Sequence, residues 1–323
     1  MTARSVAETV PDPGCRRGVN HTRQTLTRPD TEAPRPLGAQ TRQRNRTWGI
    51  RQPVDVRWLQ QPGRGDRMPT DSRPAALELR GLSRSFGEKL AVDNLSLTVP
   101  VGSFYGLVGP NGAGKTTSLS MATGLVRPDA GQAVVLGVDM WQKPLEAKRL
   151  IGNLSDGVKL FDRLTGEQLV TYNGLLFGMT RETVAERVGD LLRILDLEGA
   201  AGTPVVDYSA GMTKKIALAC ALVHAPRLLV LDEPFESVDP VSAANIRDIL
   251  TDYVAGGGTV IVSSHVMDLV QRMCDHVAVI QSGRVLASGT VDEVRGTASL
   301  EDRFVELVGG RNHTEGPEWL RHS

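Results

Sequence analysis

The chain has 323 residues at 34.8 kDa, with 37 Lys+Arg balanced by 37 Asp+Glu and a pI near 7.0. That balance argues against a protein that coats nucleic acid, and 4% aromatic residues argue against base- or sugar-stacking platforms. With 40% apolar residues a sizeable core can form, but the longest largely apolar run, Ile216–Ala225, is about half of what a membrane span needs.

The neutrality hides an asymmetry. Residues 1–67 hold 13 Arg and no Lys against 6 acidic residues, a net of +7, together with 7 of the 18 prolines. No 3.6 or 2 period runs through them, so they cannot bury enough apolar surface to offset ordering entropy. The expectation is a disordered extension over 1–74, with an anionic-lipid or nucleic-acid tether as the functional alternative. Its first thirty residues lack the apolar stretch of a secretory signal. Cys15, Cys220 and Cys274 are scattered and odd in number, which fits neither a disulfide framework nor a metal pair.

Organised sequence begins near residue 76. Ala76–Leu82 and Asn94–Val99 alternate as strands around a Gly87-Glu88-Lys89 turn, and Ser103–Val108 reads as a buried strand. A helix to about Leu125 follows, closed by Arg127-Pro128-Asp129-Ala130-Gly131. Ile151–Leu154 is a short strand, and 160–222 is mostly helical, including Arg181–Leu197 with Val184, Val188, Leu191, Leu192 and Leu195 on one face. The strand Leu228–Leu231, a helix from Val241, the strand Thr259–Val262 and closing strands near Val277–Ile280 and Arg284–Ala287 complete the pattern. Alternating strands and helices predict a mostly parallel sheet covered on both faces.

Gly109-Pro110-Asn111-Gly112-Ala113-Gly114-Lys115-Thr116-Thr117 contains the full G-x-x-x-x-G-K-[ST] phosphate-loop pattern between a strand and a helix. Its glycines let successive backbone N–H groups turn toward phosphate oxygens, and the helix N-terminus adds positive potential. Lys115 would reach the β- and γ-phosphates, and the Thr116 hydroxyl would ligate Mg²⁺. Leu228–Leu231 ends in Asp232-Glu233: Asp232 would hold Mg²⁺ through water, and Glu233 would polarise the water attacking the γ-phosphate. These features point to ATP or GTP.

Further residues choose between machines. Tyr208-Ser209-Ala210-Gly211-Met212, read as standing before a helix Thr213–Val223, resembles the signature motif of ATP-binding-cassette (ABC) ATPases, in the variant of exporter-type subunits. Ser237-Val238-Asp239 resembles the family's D-loop and Ser263-Ser264-His265 its switch histidine. Phe86 sits where the family stacks an aromatic ring on adenine, and Leu300–Phe304 resembles the tail segment of exporter subunits.

The resemblance spans about 76–308. It implies an α/β fold, a P-loop NTPase core with a small antiparallel β subdomain and a helical signature subdomain at about 157–222. The cassette would occupy 75–308, with a flexible tail at 309–323. It also implies that Ser209, Ala210, Gly211 and Met212 act on the nucleotide of a second cassette, a homodimer mate or sister subunit, with Ser237 and Asp239 at the same interface. His265 would join Glu233 in catalysis. ATP and Mg²⁺ are the implied ligands.

A separately encoded permease is the implied partner, with the chain peripheral on the cytoplasmic face of the cell membrane and export as the direction. A non-transporting regulator or mechanical transmitter is the alternative. A nucleic-acid partner would want a second cassette or a long coiled-coil insertion, and neither is present. At the family's Gln or Glu position after Leu154 this chain has Asp156, a hard oxygen ligand one methylene shorter than Glu, so a bridging water is expected between it and the metal. Leu160–Thr165 resembles the segment that docks a permease helix. His224 is expected to cap a helix C-terminus.

Overall fold

The computed structural model describes residues 74–157 and 159–309. The expected extension and tail lie almost wholly outside the described residues.

The two N-terminal strands form a long hairpin, β1 (Ala75–Phe86) and β2 (Lys89–Pro100), turning at Gly87 with φ +58°. Two strands join it: β4 (Ala130–Val135) pairs antiparallel with β1, and β5 (Val138–Asp139) pairs with β4. The result is a four-stranded antiparallel sheet ordered β2-β1-β4-β5. The residues expected to act only as a helix breaker, Ala130 and Gly131, begin β4.

The second sheet has six strands, ordered β10-β9-β3-β8-β7-β6. They are β3 (Phe104–Val108), β6 (Ile151–Leu154), β7 (Leu228–Asp232), β8 (Thr259–Ser264), β9 (His276–Gln281) and β10 (Arg284–Thr290). All pair in parallel except β10, which is antiparallel to β9. Every residue of β3, β7 and β8 is buried, as expected for strands covered on both faces.

Side-chain alternation splits these strands between two cores. Phe104, Val108, Leu229 and Leu231 face a core shared with the helices α3 (Gly166–Leu176), α4 (Arg181–Ile194) and α5 (Ala210–Leu222). Tyr105, Leu107, Leu228 and Val230 face one shared with the antiparallel sheet and α1 (Lys115–Ala122). The sheet therefore ties two hydrophobic masses together, and a large-to-small change in either would cost about 2–5 kcal/mol.

Local chemistry sets the helix boundaries. Thr165 and Gln168 form a capping box at α3, Thr180 caps α4, and Asp239 caps α6 (Pro240–Ala255) with its carboxylate on the Val241 and Ser242 N–H groups. Smaller helices follow the chain's remaining turns: α2 (Pro144–Arg149), α7 (Met267–Met273), α8 (Val291–Arg295) and α9 (Leu300–Val308).

Two boundaries differ from expectation. α1 stops at Ala122, where Thr123 turns its hydroxyl onto the Leu119 carbonyl, rather than near Leu125. α5 starts at Ala210, not Thr213, because Ser209 is its N-cap and accepts from the Met212 N–H.

Candidate nucleotide site

The loop 109–114 leaves the buried end of β3 and delivers the chain into α1. Gly114, at φ +103°, is the N-cap of α1. A Cβ there would stand 2.6 Å from the Ala91 carbonyl oxygen, so the loop's approach to the antiparallel sheet demands glycine. No side chain caps α1 and its first turn holds no acid, which leaves its first N–H groups and their partial positive charge for an anion. Lys115 is 6% exposed and donates to the Gly109 carbonyl oxygen at 2.8 Å, so its ammonium lies over the loop.

Opposite the loop, β7 ends in the two acids. Ser263 on β8 donates to Asp232 Oδ1 and accepts from the Glu233 N–H at 2.9 Å. Glu233 has φ +46°, a left-handed backbone that is uncommon for a residue with a Cβ and is held here by that serine. Its carboxylate spans two partners: Oε1 lies 3.7 Å from Lys115 Nζ, and Oε2 lies 3.1 Å from His265 Nδ1. Ser237, also at positive φ (+59°), turns the chain toward the Asp239 cap of α6.

Phe86, Asn111, Gly112, Gly114, Lys115, Thr116, Thr117, Asp156, Glu233 and His265 all line one cleft of about 440 Å³. Lys89, Ala91 and Glu236 line it too, and sequence reasoning missed them; the turn after Phe86 and the acid three past Glu233 were the available signals. Gly109 and Ala113 are buried within the loop, Pro110 is exposed, and Asp232 is buried behind at 3% exposure.

Ser209, Ala210, Gly211, Met212, Ser237 and Asp239 do not line this cleft. Ser209 and Ala210 are exposed at the head of α5. Within the chain, then, the signature does not reach the nucleotide loop.

Asp156 lines the cleft, but it also faces Lys214, with Oδ1 3.7 Å from Nζ. Lys214 in turn donates to the Glu233 carbonyl oxygen at 3.0 Å. One ammonium on α5 thus touches both the segment after β6 and the backbone of the acid after β7. Nothing in the spacing of these residues announced that bridge.

His224 is not a helix cap. Its Nε2 meets the Ile151 carbonyl oxygen at 2.9 Å and its ring stacks on Phe177 at 3.6 Å between centroids. Burial pushes its pKa down to about 4. His276 stacks on Tyr105 and pairs with Asp275, a structural role. Burial pushes the thiol of the half-buried Cys220 up to about 12, which keeps it protonated and unreactive. Among the described residues no helix is long and apolar enough to cross a membrane.

Comparison with known proteins agrees with this geometry. The family described as ABC transporter matches residues 92–236. The Nod factor export ATP-binding protein I of Rhizobium leguminosarum bv. viciae is 36% identical over 245 residues, covering 73% of this chain and 76% of that protein. Its namesake in Rhizobium sp. (strain N33) is 40% identical over 244 residues, covering 73% and 77%. Among solved structures, an ATP binding subunit of an ABC transporter superposes with a TM-score of 0.68 at 28% identity, over 72% of this chain and 99% of that one. A nucleotide-free cassette gives 0.63 at 25% identity, over 72% and 98%. With the phosphate loop, the paired acids and both sheets in place, the chain belongs to the ABC transporter family as one of its ATP-binding, ATP-hydrolysing subunits.

Proposed function

We propose that this subunit powers an exporter: it binds MgATP between two cassettes and passes the resulting closure to a separately encoded permease at the cytoplasmic face of the membrane. The observation that carries the reading is the contact chain Lys115–Glu233–His265 inside the cleft that Phe86 also lines. The export-protein relatives favour the direction.

In this reading the loop 109–114 and Lys115 grip the β- and γ-phosphates, Thr117 adds a hydroxyl, and Phe86 stacks on adenine. Glu233 takes a proton from the attacking water as its oxygen bonds the γ-phosphorus, and the bond to the bridging oxygen of ADP breaks. His265, on Glu233 Oε2, orients that carboxylate. The donor set of Thr116, Asp232 and Asp156 is hydroxyl and carboxylate oxygen, which suits Mg²⁺. Thr116 would hold the ion directly, with Asp232 and Asp156 reaching it through water; when bound, it would neutralise charge on the β- and γ-phosphates. Lys214 already engages Asp156, which supports the outer position for that residue.

Ser209, Ala210, Gly211 and Met212 lie outside their own cleft, which supports a second copy or sister cassette as their target, with Ser237 and Asp239 beside them. A donor supplied in trans resembles an arginine finger in its logic. On this view the cassette occupies 75–308, its helical part runs over about 157–222 and carries the permease contact at Leu160–Thr165, and the flanks are accessory.

Complementation tests the reading. Ser209→Asp chains lack a functional signature, and Lys115→Ala chains lack a functional loop; mixed, they rebuild one intact composite site per heterodimer. ATPase activity above both parents is the expected result. A mixture no better than its parents would refute the composite site.

A further inference from the structure

The cation beside Phe86, the expected adenine platform, lies close to it in sequence but is fixed by a residue far along the chain. The Arg84 guanidinium carbon sits 5.0 Å from the centroid of Phe86. Phe86 lines the cleft and Arg84 does not, so the guanidinium backs the ring rather than entering the site.

Asp129, just before β4, holds this arrangement at three points. Its N–H donates to the Ser83 carbonyl oxygen at 2.9 Å, its Oδ2 accepts from the Ser85 N–H at 2.8 Å, and its Oδ1 accepts from Arg84 Nη1 at 2.6 Å. The Ser85 N–H foremost, and then Arg84, keep its carboxyl below the usual range.

The strand needs such a clamp. The β1–β2 register breaks between Leu82 and Arg84 and again between Arg84 and Ser85, and the β1–β4 register breaks between Arg80 and Ser83. Irregularities of this kind re-aim side chains beside sites; beyond them the strand end pairs with β2 alone, at Ser85–Leu90 and Phe86–Lys89, because β4 pairs no further than Ser83. Phe86 itself is 49% exposed, so core packing does not set its rotamer.

An ion pair exposed to 30% and 47% contributes little to stability by itself. What it settles is position. A guanidinium is planar, weakly hydrated and suited to lie on an aromatic face. Arg84 Nε is buried without a hydrogen-bond partner, a cost that the negative face of Phe86 offsets in part.

We propose that Arg84, anchored by Asp129, is a positioning residue for the nucleotide base: it covers one face of Phe86 and leaves the other ready for adenine. A ring held in its bound orientation loses less entropy on stacking. The inference rests on Phe86 being the adenine platform, and the experiment separates the two.

Affinities of the full chain for MgADP and for magnesium pyrophosphate, measured by titration calorimetry, isolate the base. Phe86→Ala should weaken MgADP and leave pyrophosphate unchanged. Arg84→Ala should weaken MgADP by about two- to fivefold, the range of a cation–π contact at an exposed site, again without touching pyrophosphate. Arg84→Lys should restore part of the loss. Asp129→Asn, which keeps its size and can still accept from Ser85, should weaken MgADP in the same selective way. In a Phe86→Ala background, Arg84→Ala should add nothing, because the ring it positions is gone.

The proposal is overturned if Arg84→Ala leaves MgADP binding intact while Phe86→Ala weakens it. It is equally overturned if Arg84→Ala weakens both ligands alike or acts additively with Phe86→Ala. If Phe86→Ala has no effect on MgADP, the platform reading falls and the proposal with it.

Discussion

Gly211 and Asp239 are packed so closely that a Cβ on Gly211 would stand 2.8 Å from Asp239 Oδ2 and 3.0 Å from Ser242 Oγ. The signature glycine, in the first turn of α5, therefore leans on the cap of α6 within the same chain. Asp239 cannot move aside without cost. Its carboxylate accepts from the Val241 and Ser242 N–H groups, and the Ser242 N–H above all holds its pKa below the ordinary carboxylate range. Whatever residues 209–212 do for a partner, Gly211 is mechanically joined to the Asp239 cap of its own chain.

That contact sorts two substitutions that sequence alone would treat as equivalent. Gly211→Asp places a second carboxylate against Asp239, so it should destabilise the isolated chain by about 1–3 kcal/mol as well as disabling the signature. Ser209→Asp keeps an N-cap acceptor for the Met212 N–H while putting negative charge at the signature. It should melt like the parent yet lose ATPase activity. Thermal melts beside ATPase rates distinguish the two, and equal melting temperatures for both variants would contradict the packing argument.

Glu233→Gln should keep nucleotide binding, because the loop and Lys115 are untouched, but slow hydrolysis by at least ~10². Unhydrolysed ATP should then hold two chains together, shifting the protein from monomer to dimer in gel filtration. Normal turnover in this variant would remove Glu233 from its role.

Lys214→Met removes the ammonium that holds the Glu233 carbonyl oxygen and faces Asp156. The lost hydrogen bond to a charged donor supports a fall in kcat of about tenfold. KM for ATP should change little, since Lys214 does not line the cleft. Lys214→Arg should retain most of the rate. Steady-state kinetics on the three proteins decide it, and a change confined to KM would show that Lys214 acts on binding instead.

His224 sets a pH limit on the fold. Its folded pKa of about 4 lies below the ordinary value of 6.5. Between those values the unfolded chain binds the extra proton, so stability rises with pH across about 4 to 6.5 and is fully present above it. Each pKa unit is worth about 1.4 kcal/mol, so acidification from pH 7 to 4.5 should cost the wild type on the order of 2–3 kcal/mol from this residue. In His224→Gln that part of the pH dependence should vanish. Parallel melting-temperature curves for the two proteins from pH 7 to 4.5 would count against it.

Much of the architecture was legible because buried parallel strands announce themselves: Ser103–Val108, Leu228–Leu231 and Thr259–Val262 are apolar runs with turn residues at their ends. The phosphate loop was legible because its backbone geometry demands those glycines. β4 and β5 were not, since Ala130-Gly131-Gln132 carries poor strand formers and is held by pairing with β1 rather than by its own propensity. The start of α5 was misplaced because Ala210 and Gly211 looked like loop, while the Ser209 cap and the packing of Gly211 on α6 decide it. The bridges from Lys214 and from Arg84 to Asp129 are tertiary facts. Partners 45 residues apart leave no periodic trace.

Ser263 has one proton and gives it to Asp232, leaving only lone pairs for the Glu233 N–H. The direction of both bonds is thereby fixed: one hydroxyl accepts from the backbone that positions Glu233 and donates to the Asp232 carboxyl oxygen. Alanine at 263 would release both acids at once, whereas threonine would keep the polarity and could only disturb it through its methyl group. A single hydroxyl on the neighbouring strand thus ties the side chain of the residue expected to serve the metal to the backbone of the one expected to serve the water.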